Sequence, residues 1–409
     1  MSDITKPILL DETGQAIAEL IEAQNHLLSH QNAAIDLLAS DKRAELVTDV
    51  ATIAELCKSG EILEVMDYGD KITPEWVKGE THYNPPMNLC HESDELLEDG
   101  ESIHGAFFEW HYTTPDGIVF DAPEAIFASA NALSAGDYYF KIAGDSYGGN
   151  SGKYVSFTLA SELTAGKQIR KKSGAYNANI SNCTLGIYAN GADLTGEELA
   201  FTVSNVQPSA GTNLGDTDGT GDLNHWNRVV LGGNRWKYSN MRQYLNATGG
   251  AGTWWTQQHK WDVKPSQADS LDGFLHGYDE SVIQYFKPIK VVTVAPNADD
   301  NVEDVTYDRV FLSSLEQMYC VPQFSGKEGA YWEYYKRLLG RTTPAPTGAT
   351  YARLIKYALN ATTSAQFCWR RSASRGTSTY VWVVYSSGYV NDNTAGNAIR
   401  CAPGVFISD

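Results

Sequence analysis

Residues 380–397, Tyr380-Val-Trp-Val-Val-Tyr-Ser-Ser-Gly-Tyr-Val-Asn-Asp-Asn-Thr-Ala-Gly-Asn397, decide how the rest of the chain is read. They form an alternating hairpin and loop in which Tyr, Ser, Thr, Asn, Asp and Gly interrupt a framework of Val, Trp and Ile. Stiff apolar positions of this kind hold a surface of adaptable polar and aromatic side chains. Antibody-like binding surfaces have the same composition: Tyr supplies contact area at low entropic cost, while Ser, Asn and Gly adapt the hydrogen bonding. The candidate contact positions are Ser374, Thr377, Thr379, Tyr380, Trp382, Tyr385, Tyr389, Asn391, Asp392, Asn393, Thr394 and Asn397. Each alone is explained equally well as a turn or loop residue. As a cluster they point to a recognition face.

Working outward, Asn224 to Asn246 reads as helix-rich, Gly273 to Val292 as a short helix followed by a strand beginning near Ile289, and Thr306 to Ser313 as a strand. The last strands fall at Tyr380–Tyr385, Tyr389–Asn391 and Ile399–Ile407, so the C-terminal half is mixed α+β. The Gly-, Asp- and Thr-rich stretch from Gln207 to Asp222 has almost nothing to bury and reads as a linker, which places a domain boundary there. Before it, residues 60–210 carry short apolar runs such as Asp137-Tyr-Tyr-Phe-Lys-Ile142 and Lys153-Tyr-Val-Ser-Phe-Thr-Leu159 between Gly, Pro, Asn and Asp clusters. That is the pattern of a β-sandwich or jelly-roll-like module. At the front, Ile17, Ile21, Gln24, Leu28, Gln31, Ile35 and Leu38 recur at spacings of four and three, a short heptad seam. Gln24 and Gln31 within it favour a symmetric bundle, where each amide can pair with its copies. The chain thus reads as multidomain: a helical oligomerisation and attachment segment over 1–57, a β-rich module over 58–210 and a third domain over 211–409.

The 409 residues include 50 acidic and 31 basic side chains, a net charge of −19. Residues 1–130 alone hold 26 acidic and 6 basic side chains. An acidic chain repels a phosphate backbone, so no nucleic-acid partner is expected. No apolar run approaches the roughly 20 residues of a membrane span, and the acidic N-terminus lacks a secretory signal, so no membrane insertion is expected. The six cysteines are scattered without a CxxC pair and read as reduced, partly buried thiols.

The motifs of common chemistry are missing or broken. There is no G-x-S-x-G elbow, no H-E-x-x-H and no dinucleotide fingerprint. Tyr147-Gly-Gly-Asn-Ser-Gly-Lys-Tyr154 lacks the first Gly and the metal-binding hydroxyl of a phosphate loop and reads as a β-turn. Asp216-Thr-Asp-Gly-Thr-Gly-Asp222 has the carboxylate spacing of a calcium loop, yet position 227 is Asn where the bidentate Glu belongs, so plain turns explain it better. His26 and His30 stand four apart but have no third ligand nearby. Acidic clusters at Glu92-Ser-Asp-Glu95 and Glu98-Asp-Gly-Glu101 read as solvated loops. Trp110-His-Tyr112 and Trp254-Trp255 could stack on sugar rings, although Trp110 lies in an alternating strand and suits a core. No catalytic residue, metal or cofactor is assigned, and no enzymatic role is expected.

Three sets of residues carry a resemblance. They are Leu97-Glu-Asp-Gly-Glu-Ser-Ile-His-Gly-Ala-Phe-Phe-Glu-Trp-His-Tyr112 with Phe120-Asp-Ala-Pro-Glu-Ala125; Asn234-Arg-Trp-Lys-Tyr-Ser-Asn-Met-Arg-Gln-Tyr-Leu-Asn246 with Trp254-Trp255 and Gly273-Phe-Leu-His-Gly-Tyr278; and Phe367-Cys-Trp-Arg-Arg-Ser-Ala373 with Val384-Tyr-Ser-Ser-Gly-Tyr-Val390 and Arg400-Cys-Ala-Pro-Gly-Val-Phe-Ile407. Together they resemble a family of lectin-like proteins common in phages and prophages of gut bacteria. The resemblance implies a C-terminal domain of C-type-lectin-like fold, related to the formylglycine-generating-enzyme variant and similar to the variable proteins of diversity-generating retroelements. In those proteins adenine-directed mutagenesis rewrites surface positions near the C-terminus.

The resemblance also places Trp369, Arg370, Arg371, Ser372 and Ala402-Pro-Gly404 in a fixed frame. Catalytic relatives use a cysteine pair, whereas Cys368 and Cys401 lie in strand-like segments without that local motif. A buried pair of thiols, or one cross-strand disulfide after release from the cell, is the plainer expectation. The function implied is that of a virion protein, assembled in the host cytoplasm, which attaches to other virion proteins through its N-terminal region. Expected as a homotrimer, it would bind a bacterial surface receptor, glycan or protein, through its C-terminal face. Two alternatives remain: a head-decoration or baseplate component that binds no receptor, and a glycan depolymerase using carboxylates of the acidic front third.

Overall fold

Gly404-Val-Phe-Ile407 is a four-residue strand with every residue buried, which requires a sheet covered on both faces. The structure, a computed structural model, describes Gln24 and residues 49–409 except 129–130, 146–147, 175–178, 190–191 and 218–224. The heptad seam, with His26 and His30, therefore lies outside the described residues apart from Gln24. Among the described residues the chain is β-rich, 36% strand and 17% helix.

Ten strands form the frame, eight of them labelled β1 (Met87–Leu96), β2 (Ser102–Trp110), β3 (Ile118–Val119), β4 (Cys368–Ala373), β5 (Tyr380–Val384), β6 (Val390–Thr394), β7 (Ala398–Cys401) and β8 (Gly404–Ile407). One five-stranded sheet runs Lys71–Ile72, β1, β2, β8, Val310–Phe311; the other runs β6, β5, β4, β7, β3. Pairing is antiparallel except between β4 and β7, where Cys368 lies opposite Arg400 and Trp369 opposite Cys401. The chain crosses from the second sheet to the first at Ala402-Pro403, and the Trp110 amide bonds the Pro403 carbonyl at 2.9 Å. Gly105 lets β2 and β8 approach, because a Cβ there would lie 2.6 Å from the Ile407 carbonyl oxygen and from the Phe406 ring.

Helix α1 (Val50–Ser59) covers β2. Asp49 caps its start by accepting from the Ala51 and Thr52 amides, and left-handed Gly60 ends it. Its buried stripe of Val50, Ile53, Ala54 and Cys57 joins the frame core, which also holds Phe108, Trp110, Trp369, Val383 and Phe406.

A second core begins at Ile126 and ends at Leu231. It lies between two four-stranded sheets: Ala192–Leu199, Thr184–Ala189, Gln168–Ser173, Phe127–Ala128, and Phe201–Ser204, Tyr154–Leu159, Gly136–Lys141, Thr212–Asp216. Phe140, Val155 and Phe157 of one sheet meet Ile169, Leu185 and Leu199 of the other, with Trp226 and Val229 of helix α2 (His225–Leu231) at the margin. This is sandwich packing.

The boundary expected near residue 210 does not coincide with the division between the cores. Residues 71–110 pair with 404–407 in the frame, and the sandwich is inserted between β3 and Trp236. Long-range pairing of this kind leaves no mark in local composition. The stretch expected as a linker also contains a strand. Thr212–Asp216 runs parallel to Gly136–Lys141 as an edge strand, held by backbone hydrogen bonds that need no apolar side chains.

Candidate binding face

The face begins with a register. Across β5 and β6, Tyr380 lies opposite Thr394, Val381 opposite Asn393, Trp382 opposite Asp392, Val383 opposite Asn391 and Val384 opposite Val390. β5 is the second strand in and β6 the edge. Val381 to Val384 are accordingly buried, while Asn391, Asp392, Asn393 and Thr394 are half-buried.

This arrangement corrects three of the expected contact positions. Trp382 is buried because β5 is covered on both faces. Ser374 and Thr379 are buried because their loop folds inward: the Ser374 amide bonds the Tyr380 carbonyl at 2.8 Å, and the Thr379 carbonyl accepts from Ala395 at 2.9 Å. The other nine remain at the surface in part: Thr377, Tyr380, Tyr385, Tyr389, Asn391, Asp392, Asn393 and Thr394 are half-buried, and Asn397 is exposed. They do not form one patch of equal reach. Tyr385 and Tyr389 sit at the hairpin tip, whereas Thr377, Tyr380, Thr394 and Asn397 cluster at the other end, where Tyr380 packs against the sandwich core.

At the tip, Phe367, Tyr385 and Tyr389 form a row of rings, with centroids 4.4 Å apart for the first pair and 5.9 Å for the second. The Tyr385 hydroxyl donates to the Asp392 carbonyl at 3.0 Å. Burial, reinforced by the Asp392 carboxylate, raises the Tyr385 phenol above its ordinary value, so it keeps its proton and stays a donor. The turn is clamped from outside: the Tyr351 amide bonds the Gly388 carbonyl at 2.8 Å, and Val390 exchanges bonds with Gly348 and Ala349 at 2.8 and 3.0 Å. Gly388 has φ +83°, and a Cβ there would lie 2.4 Å from the Tyr351 carbonyl oxygen.

Beyond Val390 the edge of β6 is blunted as well. Asp392 gives its carbonyl to Tyr385, the Thr394 amide donates to Asn393 Oδ1 at 2.8 Å, and the Thr394 carbonyl accepts from Asn397. A foreign strand finds few free backbone groups here, and what β6 presents is side chains.

Beneath this surface lie two buried polar networks. Glu109 accepts from Ser313 Oγ at 2.6 Å, Lys356 Nζ at 2.9 Å, Arg370 at 3.1 Å and the Tyr335 hydroxyl. Burial opposes its ionisation, but Lys356 and Arg370 outweigh it and hold the carboxyl below its ordinary value. Next along β4, Arg371 donates to the Leu312 carbonyl at 2.7 Å, to Gln317 and to the Glu328 carbonyl, and Ser372 donates to the Glu328 carboxyl. Burial pulls the Arg371 guanidinium down to about 10 and pushes the Glu328 carboxyl up. Arg370, Arg371 and Ser372 are thus frame residues, as are Trp369 and Ala402, all buried.

Sequence reading missed the residue that fixes the far end of the face. Asn234, almost fully buried, donates from Nδ2 to the carbonyls of Thr377 at 2.8 Å, Tyr380 at 2.9 Å and Ser374 at 3.4 Å, and its amide bonds the Ser378 carbonyl at 3.1 Å. The available signal was the preceding Gly232-Gly233. Gly232 has φ +79°, and a Cβ there would lie 2.3 Å from the Asp121 carbonyl oxygen.

Beside Asn234 lies a small polar cavity of about 40 Å3 in which Asp121, Glu124, Arg228, Arg235, Tyr238, His259, Trp261 and Ser378 take part. Glu124 bonds His225 at 2.8 Å and Arg228 at 3.0 Å; burial opposes its ionisation, but the Arg228 guanidinium and the bond to His225 outweigh it and keep its carboxyl below the ordinary range. Asp121 goes the other way, pushed up by burial and by the carboxylates of Asp262 and Glu124.

The other aromatic motifs divide. Trp110 is in the core with its indole N–H on the Tyr278 hydroxyl at 2.9 Å, Trp254 is buried, and Trp255 is half-buried and bonds Asn240. All six cysteines are free thiols; Cys368 and Cys401 are buried and raised by burial, and Cys183 alone is half-exposed. Among the described residues, no group of three or more His, Cys, Asp or Glu side chains is placed to hold a metal ion; residues 218–222 of the Asp216–Asp222 stretch lie outside them. No described helix is long and apolar enough to cross a membrane.

Residues 211–404 match the family model of a domain of unknown function, DUF6273. No curated protein and no solved structure matches the chain.

Proposed function

We propose that the chain is a phage virion protein whose C-terminal domain, of C-type-lectin-like fold, attaches the particle to a receptor on the bacterial surface. The observation that carries this reading is the ring row Phe367, Tyr385, Tyr389 beside the polar edge Asn391–Thr394, clamped on a frame of fully buried charges. Amphipathic rings on a stiff support lose little entropy on binding, and the adjacent amides and hydroxyls add adaptable hydrogen bonds. A frame that does not move tolerates replacement of the side chains it displays, which suits a face subject to diversification. The blunted edge of β6 supports recognition through side chains rather than by strand addition. The reading requires no covalent step. Several copies, joined through the heptad seam of the N-terminal segment, would engage a repetitive surface together, so weak individual contacts would suffice.

The test is adsorption. Replacing Tyr385 and Tyr389 together with Ala removes two rings of the row while leaving the Glu109 network intact. Particles carrying this variant are expected to lose adsorption to host cells, with the thermal midpoint of the purified protein lowered by a few degrees at most. Undiminished adsorption would remove the assignment of the site. A face covered by other virion proteins in the assembled particle would favour a purely structural component instead.

A further inference from the structure

A cavity of about 320 Å3 lies between the hairpin of Trp76–Lys78 and Thr81–Tyr83 and the loop of residues 270–277. Small-ligand sites measure roughly 300–1,000 Å3. The walls are fixed to each other without a ligand. The Trp76 indole N–H donates to the Phe274 carbonyl at 2.9 Å, and Gly277 lets the loop close on the hairpin, since a Cβ there would lie 2.2 Å from Trp76 Nε1.

Tyr244, on the helix Asn240–Leu245, lines the same cavity. Its ring is held in the core against Trp254 and Phe274, with centroids 5.7 and 6.3 Å away, and the residue is only 4% exposed. Its hydroxyl nevertheless bonds no described residue. A buried hydroxyl left in this state forfeits its hydration without compensation, so such groups are rare in folded proteins. Burial holds the phenol well above its ordinary value, and the carboxylates of Asp116 and Asp272, both in the cavity wall, add to this, so the oxygen stays neutral and keeps its lone pairs.

The charge of the wall is unbalanced. Lys78 is the one basic side chain among its described residues, and it is committed to Asp116. Asp272 accepts the Ala251 amide at 2.9 Å and has no cation within ion-pair distance among the described residues. One negative charge is therefore left over beside an acceptor oxygen that nothing in the protein uses. A primary ammonium answers both, with one positive charge and three N–H donors on a single atom. Lys78 already places such a group on the other carboxylate of this wall. Val77, Tyr83 and Leu271 border the remaining space with apolar surface.

We propose that this cavity binds the primary ammonium group of a small amine, held by the Asp272 carboxylate and the Tyr244 hydroxyl oxygen. The site goes beyond the receptor-binding face and does not rest on it: the cavity shares no residue with the row Phe367, Tyr385, Tyr389.

The experiment is saturation-transfer NMR on the full chain at low ionic strength. The probes are n-butylamine, ethanolamine and glucosamine, each beside a neutral counterpart: n-butanol, ethylene glycol and glucose. At least one amine is expected to receive saturation while its counterpart receives none. Tyr244→Phe removes a hydroxyl that bonds nothing in the protein and keeps the ring between Trp254 and Phe274. Its thermal midpoint is expected to be unchanged and its amine binding weakened by about tenfold, as for one lost hydrogen bond to a charged group. Asp272→Asn retains an acceptor for the Ala251 amide but removes the charge, and is expected to weaken binding by at least the same factor.

Absence of transfer to every amine overturns the proposal, and so does equal transfer to an amine and its neutral counterpart. Amine binding that is unchanged in either variant also overturns it, by placing the amine elsewhere on this acidic chain. None of these results touches the adsorption test on the tyrosine pair, so the receptor-binding reading fails or stands separately.

Discussion

The buried frame under the binding face makes an asymmetric prediction. Glu109 is the single anion among Ser313, Tyr335, Lys356 and Arg370, and it is fully buried. Glu109→Gln removes the charge that two cations rely on. Arg370 is the more exposed to this loss: only Nη1 is hydrogen-bonded, while its Nε and Nη2 have no partner, so the Glu109 carboxylate is its principal compensation in the core. Breaking a buried pair in this way costs about 3–5 kcal/mol, a large share of the roughly 5–15 kcal/mol that holds a typical fold.

Lys356→Met differs. Glu109 keeps Arg370, and the loss is limited to the bonds from Lys356 Nζ to Glu109 and to the Trp110 carbonyl at 2.7 Å, for which about 1–2 kcal/mol is expected. Urea unfolding followed by tryptophan fluorescence measures both. With a slope of roughly 3 kcal/mol per M for a chain of this size, Glu109→Gln should lower the midpoint by about 1 M or more and Lys356→Met by about half of that or less. Equal effects of the two variants, or a loss under about 1 kcal/mol for Glu109→Gln, would refute the reasoning.

Two further predictions follow from single residues. Gly388→Ala places a Cβ 2.4 Å from the Tyr351 carbonyl oxygen at φ +83°, so it should destabilise the tip by about 1–3 kcal/mol and speed hydrogen exchange at the Tyr351 and Val390 amides; unchanged exchange would mean that the clamp does not hold the turn. His104 lies between Asp94 at 2.8 Å and Glu92 at 3.1 Å. Burial lowers its affinity for a proton, but the bonds to Glu92 and Asp94 outweigh this and raise its pKa above the ordinary 6.5. The β1–β2 hairpin should therefore gain stability from His104 below pH 6.5 and lose it as pH rises through the raised value. An NMR titration of the His104 ring gives that value directly, and Glu92→Gln should bring it down.

How much was legible depends on whether the signal was local. Strand-like residue patterning marked β5 and β6 to within a few residues, whereas the single strand expected over Ile399–Ile407 is two strands, β7 and β8, in different sheets. The same patterning could not say which strand would be the edge. Trp382 and Asp392 face each other across one register, yet Trp382 is buried because β5 is covered on both faces, while Asp392, on the edge strand β6, is half-buried. Ser374 and Thr379 looked like loop residues and are loop residues, but the loop turns inward onto Asn234, about 140 positions earlier in the chain.

The amino-acid sequence by itself determined the β-rich character, the hairpin that carries the tyrosines and the embedding of Cys368 and Cys401 in strands, since these depend on residue type and short-range spacing. Tertiary structure alone decided that residues 71–110 close the same frame as 404–407, that the sandwich is an insertion, and that Asn234, Ser378, Glu124 and Arg235 surround one cavity. The reason is physical. Burial and charge neutralisation are properties of what packs against a side chain, and the two partners of Arg370, namely Ser313 and Glu109, come from 57 and 261 residues away along the chain.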